Sequence, residues 1–488
     1  MGIVREQSIK NSISFYFGMA IGAINTVIIY PHVFQNNPEY LGLIHILVAY
    51  AIVISIFTTI GMPKTFVKFF PVVKDKGQLY FLSFITPLIG FFFALLSYLL
   101  FKQQIFDFLN ASELLQDNFF YIILLVFFIG FYDILTSISR SFLSAVTPII
   151  INEVFLKFYS MLVLLIYWFG YLDFGYFLKI YLFGYVLKFA ILYFLQWKNN
   201  RFELTISIKD LKIKKLINFG LYVMAGGAAI MIVSRVDMMM IGALLDLEQV
   251  AFYTVAFFIG NSIKIPGKSI VTISIPLIAK AWENQDFDEI QNLYSKSSIN
   301  QLIVGGVFFI CVWLNIDEVF SLLPEKFQGG KWVVFFIGIS QLFNIASGLN
   351  GAIIVNSKYY RYDLYTNILL VFLTIATNYI LIPIYSIDGA ALATAISVLI
   401  FNLIRMYIIK IKMNMHPFSL NTIRTICLLL ILYLFVNILP NTNYAFLDIV
   451  WKSSIVLTIY LPAVLYFNLS EDINAIFNEL ISKLRFWC

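Results

Sequence analysis

The chain has 488 residues, 61% hydrophobic and 18% aromatic with only 12% charged, where soluble proteins are about 45–50% apolar and about 25% charged. A soluble fold of this length would divide into roughly three domains, each needing a polar surface, and 33 Lys and Arg with 27 Asp and Glu are too few to cover them. The net charge of +6 is scattered between apolar runs, which excludes a nucleic-acid-binding face, and three Cys (311, 427, 488) and three His (32, 45, 416) far apart exclude a disulfide framework or a metal site.

The predicted elements are all helices, since about 20 apolar residues are needed to cross about 30 Å of hydrocarbon. Fourteen runs meet that length: residues 11–33, 41–61, 79–101, 119–140, 146–168, 174–195, 217–243, 250–276, 299–320, 332–355, 364–384, 388–410, 422–439 and 445–467. They occupy roughly three-fifths of the chain, which leaves no room for a soluble catalytic domain. Arg5 and Lys10 precede the first run, which continues without a small-residue cleavage motif and is read as an uncleaved helix.

Positive charge supports this count. Of the 33 Lys and Arg, 22 fall in the loops and ends on one side, four (Lys102, Lys326, Lys331, Lys452) on the other, and seven inside the proposed helices. Short loops rich in Lys and Arg stay cytoplasmic, so both termini are expected in the cytoplasm.

An internal repeat is also visible. Gly170-Tyr-Leu-Asp173 and Tyr385-Ser-Ile-Asp388-Gly389 join corresponding helices 215 residues apart, and the same offset pairs Asn152 with Asn367. Pro63 matches Pro276 at 213, and Phe131-Tyr-Asp133-Ile resembles Leu342-Phe-Asn344-Ile at 211. The expected organisation is a six-helix lobe (residues 1–200), a basic linker (201–215), a second parallel lobe (216–412) and two further helices with a cytoplasmic tail (413–488).

The segment from Asn378 through Pro383, Asp388-Gly389-Ala390-Ala391 and Ala393-Thr394 to Ser397, followed by Asn402 and Arg405, resembles the turn between helices eleven and twelve of the multidrug/oligosaccharidyl-lipid/polysaccharide exporter superfamily. Ser234-Arg235-Val-Asp237, Ile241-Gly242 and Glu248 through Tyr253 are similar to that superfamily's helix seven entry, with Ala251 where Gly is usual. With the 6+6+2 layout, these motifs resemble the bacterial polysaccharide flippases of the Wzx type. That resemblance implies an inner-membrane transporter, not an enzyme. Its cargo would be an undecaprenyl-diphosphate-linked O-antigen, capsule or exopolysaccharide unit, flipped from the cytoplasmic to the outer leaflet by alternating access. It implies membrane lipid as surroundings and a polysaccharide polymerase and glycosyltransferases as partners. No cofactor is implied, and a proton or sodium ion as coupling ion stays open.

A charge near the bilayer midplane costs about 2.5–3.5 kcal/mol on insertion scales, so deep ionisable groups are the candidates for function. Asp133, Lys157, Arg235, Asp237 and Lys264 are the deepest and together carry net positive charge. Fixed cations would offset a diphosphate inside a low-dielectric region. The competing reading for Lys157 is an ion pair with Glu153 or Asp133. Arg235 and Asp237, two residues apart, point in different directions on a helix.

Arg140 shares a helix face with Asp133 and either meets a head group at the cytoplasmic entrance or serves as an ordinary positive-inside residue. Lys268 is one turn from Lys264 with Pro266 between them, where a kink would aim both at a cavity or the helix would simply end, and Asn25 with Thr26 on the first helix either line the path or, as is more common, hydrogen-bond a neighbouring helix. Lys179, Lys188 and Arg405 lie within about two turns of a helix end and are expected to reach the interface. Gly18 and Gly22 form a small-residue step for close helix packing. Gly267-Lys268-Ser269 resembles the end of a phosphate-binding loop, but Ser262 stands where its first Gly belongs.

Two other classes are open. A cation-coupled drug exporter of the same superfamily would stop at twelve helices and carry a clear carboxylate ion site. A membrane-embedded glycosyl- or acyltransferase would need a catalytic carboxylate or His in a sizeable outer loop, and loops 102–118 and 317–331 are short and lack His.

Overall fold

The computed structural model describes residues 2–485 apart from 200, 202–204, 208, 210 and 443; the side chains of residues 2–9, 12, 266, 268, 269, 272 and 480–485 are also outside the described set. Among the described residues every regular element is helical. Among those residues, twelve helices are long and apolar enough to cross a membrane.

In chain order the elements are α1 (Gly2–Ala23, continued by a π-helical segment Ile24–Ile29 to Val33), α2 (Pro38–Thr59), α3 (Lys76–Leu109), α4 (Phe120–Ser141), α5 (Val146–Ile149, a π-helical segment Ile150–Phe155, then Leu156–Trp168) and α6 (Phe174–Lys198). They continue with α7 (Ile213–Val233, resuming as Val236–Leu244) and α8 (Leu247–Asn261, a 3-10 turn Ser262–Lys264, then Ile265–Glu283). Then come α9 (Phe287–Leu314) and α10 (Lys331–Ala346 with Asn350–Asn356).

The helix Arg361–Met413 has 53 residues. At about 1.5 Å per residue that is more than twice the hydrocarbon thickness, so it cannot be one crossing. Its backbone breaks at Ser386 (φ 53°, ψ −135°). Thr377 meets Ser397 at 3.1 Å, and Arg405 reaches back to Thr366 and Asn367, so the two arms are antiparallel: α11 (361–385) and α12 (387–413). The chain closes with α13 (Leu420–Asn437), α14 (Ala445–Tyr466) and α15 (Glu471–Arg485). Divided at Ser386, the twelve spans become thirteen candidate crossings among the described residues; the remaining expected run, 250–276, falls on two shorter helices, Leu247–Asn261 and Ile265–Glu283.

Short polar side chains start the helices. Asp75 Oδ1 accepts from Gly77 N at 2.9 Å at α3, Asp173 Oδ1 from Tyr176 N at 3.0 Å at α6, and Asp286 Oδ1 from Glu289 N at 3.0 Å at α9. Each satisfies a first-turn N–H that has no intrahelical acceptor, an effect of about 1 kcal/mol. At α13, Ser419 and Thr422 cap one another reciprocally.

The chain divides into two compact units, Met1–Thr254 and Val255–Cys488. In the first unit α4 lies against α2, α3 and α6, and α1 packs on α5. Helix α7 packs on α2, so contacts group it with the helices before it, whereas the sequence repeat groups it with those after. In the second unit α10 lies against α12, α11 or both as parts of Arg361–Met413, and α9 carries α13 and α14 through a core of Ile303, Ile310, Leu432, Val456 and Tyr460.

Candidate functional site

At the crossing of α1 and α5 the first unit places Glu153 and Lys157, with Lys188 linked to them through Asn152. Both helices pass through a single π-helical turn there, Ile24–Ile29 and Ile150–Phe155. Such turns interrupt the i→i−4 ladder and concentrate at functional sites. Close approach is allowed by the Gly18/Gly22 step: a Cβ at Gly18 would strike the Glu153 backbone, and one at Gly22 would lie 3.4 Å from Lys157 Nζ. Asn25 Nδ2 donates to the Lys157 carbonyl at 2.9 Å, while its buried Oδ1 has no hydrogen-bond partner.

A continuous polar chain follows. Lys157 Nζ donates to Glu153 Oε2 at 2.9 Å, and Glu153 Oε1 accepts from Asn152 Nδ2 at 3.0 Å. Asn152 Oδ1 accepts from Lys188 Nζ of α6 at 3.2 Å. Lys188 lies 4.5 Å from the Tyr132 ring and 4.8 Å from the Tyr185 ring. Asp133 and Glu153 are the carboxylates near it, but its direct acceptor is a neutral amide. The Asp133 and Arg140 side chains are exposed to open space on α4.

Lys188 corrects an expectation. It is 5% exposed and points between α4 and α5 rather than to the interface. Distance to a helix end allows snorkelling only when the side chain faces lipid, and Lys188 faces the Asn152 amide and two aromatic rings. Arg405 is a second correction at 6% exposed. It pairs with Asp363 of α11 and donates to Thr366 Oγ1 and Asn367 Oδ1, each at 3.1 Å. Lys179 does remain exposed, beside the Tyr176 ring.

Lys188 and Arg405 also give the repeat chemical content. Asn152 and Asn367, 215 residues apart, each accept a hydrogen bond from a buried cation on the next helix. In the second unit that cation has a carboxylate in direct contact; in the first it does not.

Helix α7 breaks at Arg235, whose φ of −129° and ψ of −17° separate Val233 from Val236. Its Nε is buried without a hydrogen-bond partner, and the charge is felt by His45 of α2 and Tyr185 of α6. The His45 ring meets Tyr30 edge-on at 5.8 Å, its Nε2 is also buried without a partner, and Tyr30 and Tyr181 share a hydroxyl hydrogen bond of 2.7 Å. Asp237 faces elsewhere, buried, and accepts from Tyr253 Oη at 2.7 Å.

Of the residues singled out from sequence, Asn25, Asp133, Arg140, Lys157, Arg235 and Asp237 belong to the first unit, and Lys264 and Lys268 to the second. Lys264 ends the 3-10 turn of α8 with an exposed side chain; the Lys268 side chain lies outside the described residues. Lys452, counted in an outer loop, sits inside α14, buried and 2.6 Å from Glu318. Sequence reasoning missed Lys188, Asn152, His45, Tyr30 and Tyr185 as site neighbours. The 215-residue offset was the signal for the first two, had it been carried from Asn152 and Asn367 to the cation on the following helix.

A family model described as "Polysaccharide biosynthesis protein" matches residues 9–282. No curated protein matches the chain. Among solved structures, it is similar to "Lipid II flippase MurJ, inward closed conformation", with a TM-score of 0.74 and 15% identity over 94% of this chain and 99% of that one. It is also similar to a multidrug resistance MATE family transporter of the MOP superfamily: the inward-facing structure gives a TM-score of 0.58 at 13% identity over 84% and 94% of the two chains. The outward-facing structure gives 0.56 at 14% identity over 84% and 95%. At such identities the likeness is one of fold.

Proposed function

The chain belongs to the polysaccharide biosynthesis protein family, and from that premise we propose that it flips an undecaprenyl-diphosphate-linked oligosaccharide from the cytoplasmic to the outer leaflet of the bacterial inner membrane by alternating access. It is an integral membrane protein with the fold of flippases and transporters. The observation that carries the reading is the polar chain from Lys157 through Glu153 and Asn152 to Lys188, flanked by Asp133 and Arg140 on α4.

A diphosphate entering an apolar path needs charge compensation at every stage. Lys157 supplies it by exchange: its pair with Glu153 is a single i,i+4 contact with a third of the Lys side chain exposed, so the ammonium can turn to a phosphate at little cost. Arg140 is assigned to the entrance and Arg235 to the opposite end of the path, with Asn25 offering its unpaired carbonyl oxygen to a sugar hydroxyl. Lys264 and Lys268 complete the proposed lining, whereas Asp237, expected there from sequence, is buried against Tyr253. The helices to Lys198 and those from Ile213 to Met413 act as the two repeated lobes, with both termini cytoplasmic. A polymerase and glycosyltransferases acting on the same lipid are the proposed partners.

The drug-exporter alternative is less well supported, because the MATE structures cover 84% of the chain and the MurJ structure 94%. Replacing Lys157 and Lys264 singly by Ala is expected to abolish surface polysaccharide while the protein persists in the membrane. Normal export by both variants would sink the cavity assignment.

A further inference from the structure

Helix α15 plays no part in the path described above. Its apolar residues Ile473, Ile476, Phe477, Leu480, Ile481 and Leu484 follow a 3-1-3-1-3 spacing, which gathers them into one helical stripe. Polar residues Glu471, Asn478, Glu479 and Ser482 fall on the opposite side of the wheel.

Its first turn is fixed to α9. Asn300 Nδ2 donates to Asp472 Oδ2 at 2.7 Å, Lys296 Nζ lies 3.2 Å from Glu471 Oε2, and Ile473 packs against the core of α9, α13 and α14. Past that turn the apolar stripe leaves the protein: Ile476 is 59% exposed and Phe477 43%. Two large apolar side chains in water are unfavourable by an amount that a partner surface would recover.

We propose that this face of α15 lies in the lipid headgroup and upper acyl region of the leaflet from which α14 emerges. Continuity names lipid as the occupant. α14 ends at Tyr466 and α15 starts at Glu471, so only four residues separate it from a membrane-spanning helix. Tyr466 and Phe467, both exposed at that junction, are the aromatic pair expected at a membrane interface. A helix leaving this point with its first turn docked on α9 starts at interface depth, and an apolar stripe with a polar reverse side is the composition that stays there. The acidic residues of the first turn are engaged with α9, and the sequence carries Lys483 and Arg485 at the other end of the helix, a composition suited to anionic headgroups.

The test uses the full chain in lipid vesicles, with Cys311, Cys427 and Cys488 replaced by Ser. Single cysteines at Ile476, Phe477, Ala475 and Asn478 carry an environment-sensitive fluorophore. Labels at 476 and 477 are expected to be at least ~3-fold less quenched by aqueous iodide than those at 475 and 478, and quenched by shallow spin-labelled lipid. Equal iodide quenching at all four positions overturns the proposal. Iodide protection at 476 and 477 without quenching by the lipid probe also overturns it, since a protein surface would then cover the stripe. Neither result depends on what the chain transports.

Discussion

Lys157 and Arg405 illustrate how two cations in one membrane protein serve opposite ends. The Lys157–Glu153 pair is partly exposed and spans one helical turn, a class of contact worth about 0.3–0.5 kcal/mol. Lys157→Ala should therefore lower thermal stability by less than about 1 kcal/mol while transport falls by at least about tenfold; purified-protein melting and a flipping assay separate the two. Arg405 is buried against Asp363, Thr366 and Asn367, and Arg405→Met leaves the carboxylate without its partner, an expected cost of about 3–5 kcal/mol. The double variant with Asp363→Leu should recover most of that stability. A single Arg405→Met variant melting like the parent would contradict the structural role. The sequence showed that both cations were deep or near an end, but not which direction each faced. Rotation about a helix axis is set by packing, and a chain that is apolar on all sides offers no hydrophobic stripe from which to infer it.

At the scale of elements, thirteen of the fourteen apolar runs reappear as membrane-length helices once Arg361–Met413 is divided at Ser386, because lipid demands length and composition, and both are written in the residues. The interruptions were less legible. The turn at Ser386 was anticipated from Tyr385-Ser-Ile-Asp388-Gly389, yet the break at Arg235 and the 3-10 turn at Ser262–Lys264 lie inside runs that a hydropathy window treats as uniform. The π-helical segments of α1 and α5 arise where those helices meet, so no local signal announces them. Their fit predicts that Gly18→Leu, which drives a side chain into the Glu153 backbone, destabilises the protein by about 1–3 kcal/mol. Gly175→Leu, at an exposed position with only Asp173 nearby, is the control and should leave melting nearly unchanged. The Asp173 cap on α6 is a smaller contribution: Asp173→Ala should cost about 1 kcal/mol in the same melting experiment.

For the whole molecule, the repeat that the sequence suggested by offset alone reappears as chemistry in Asn152–Lys188 and Asn367–Arg405. The second-unit cation is neutralised by Asp363, whereas Lys188 is held by an amide and two rings. That difference leaves the Lys188 ammonium of the first unit with a neutral amide rather than a carboxylate as its direct acceptor, in the unit where the transport reading puts the cationic path. The central claim is tested most directly with purified protein in vesicles carrying a fluorescent undecaprenyl-diphosphate oligosaccharide, its leaflet reported by a membrane-impermeant quencher. The account predicts that wild-type protein equilibrates the lipid between leaflets and that Lys157→Ala slows this by at least about tenfold. Vesicles in which the wild-type protein leaves the diphosphate lipid in place, yet moves a small organic cation, would contradict it.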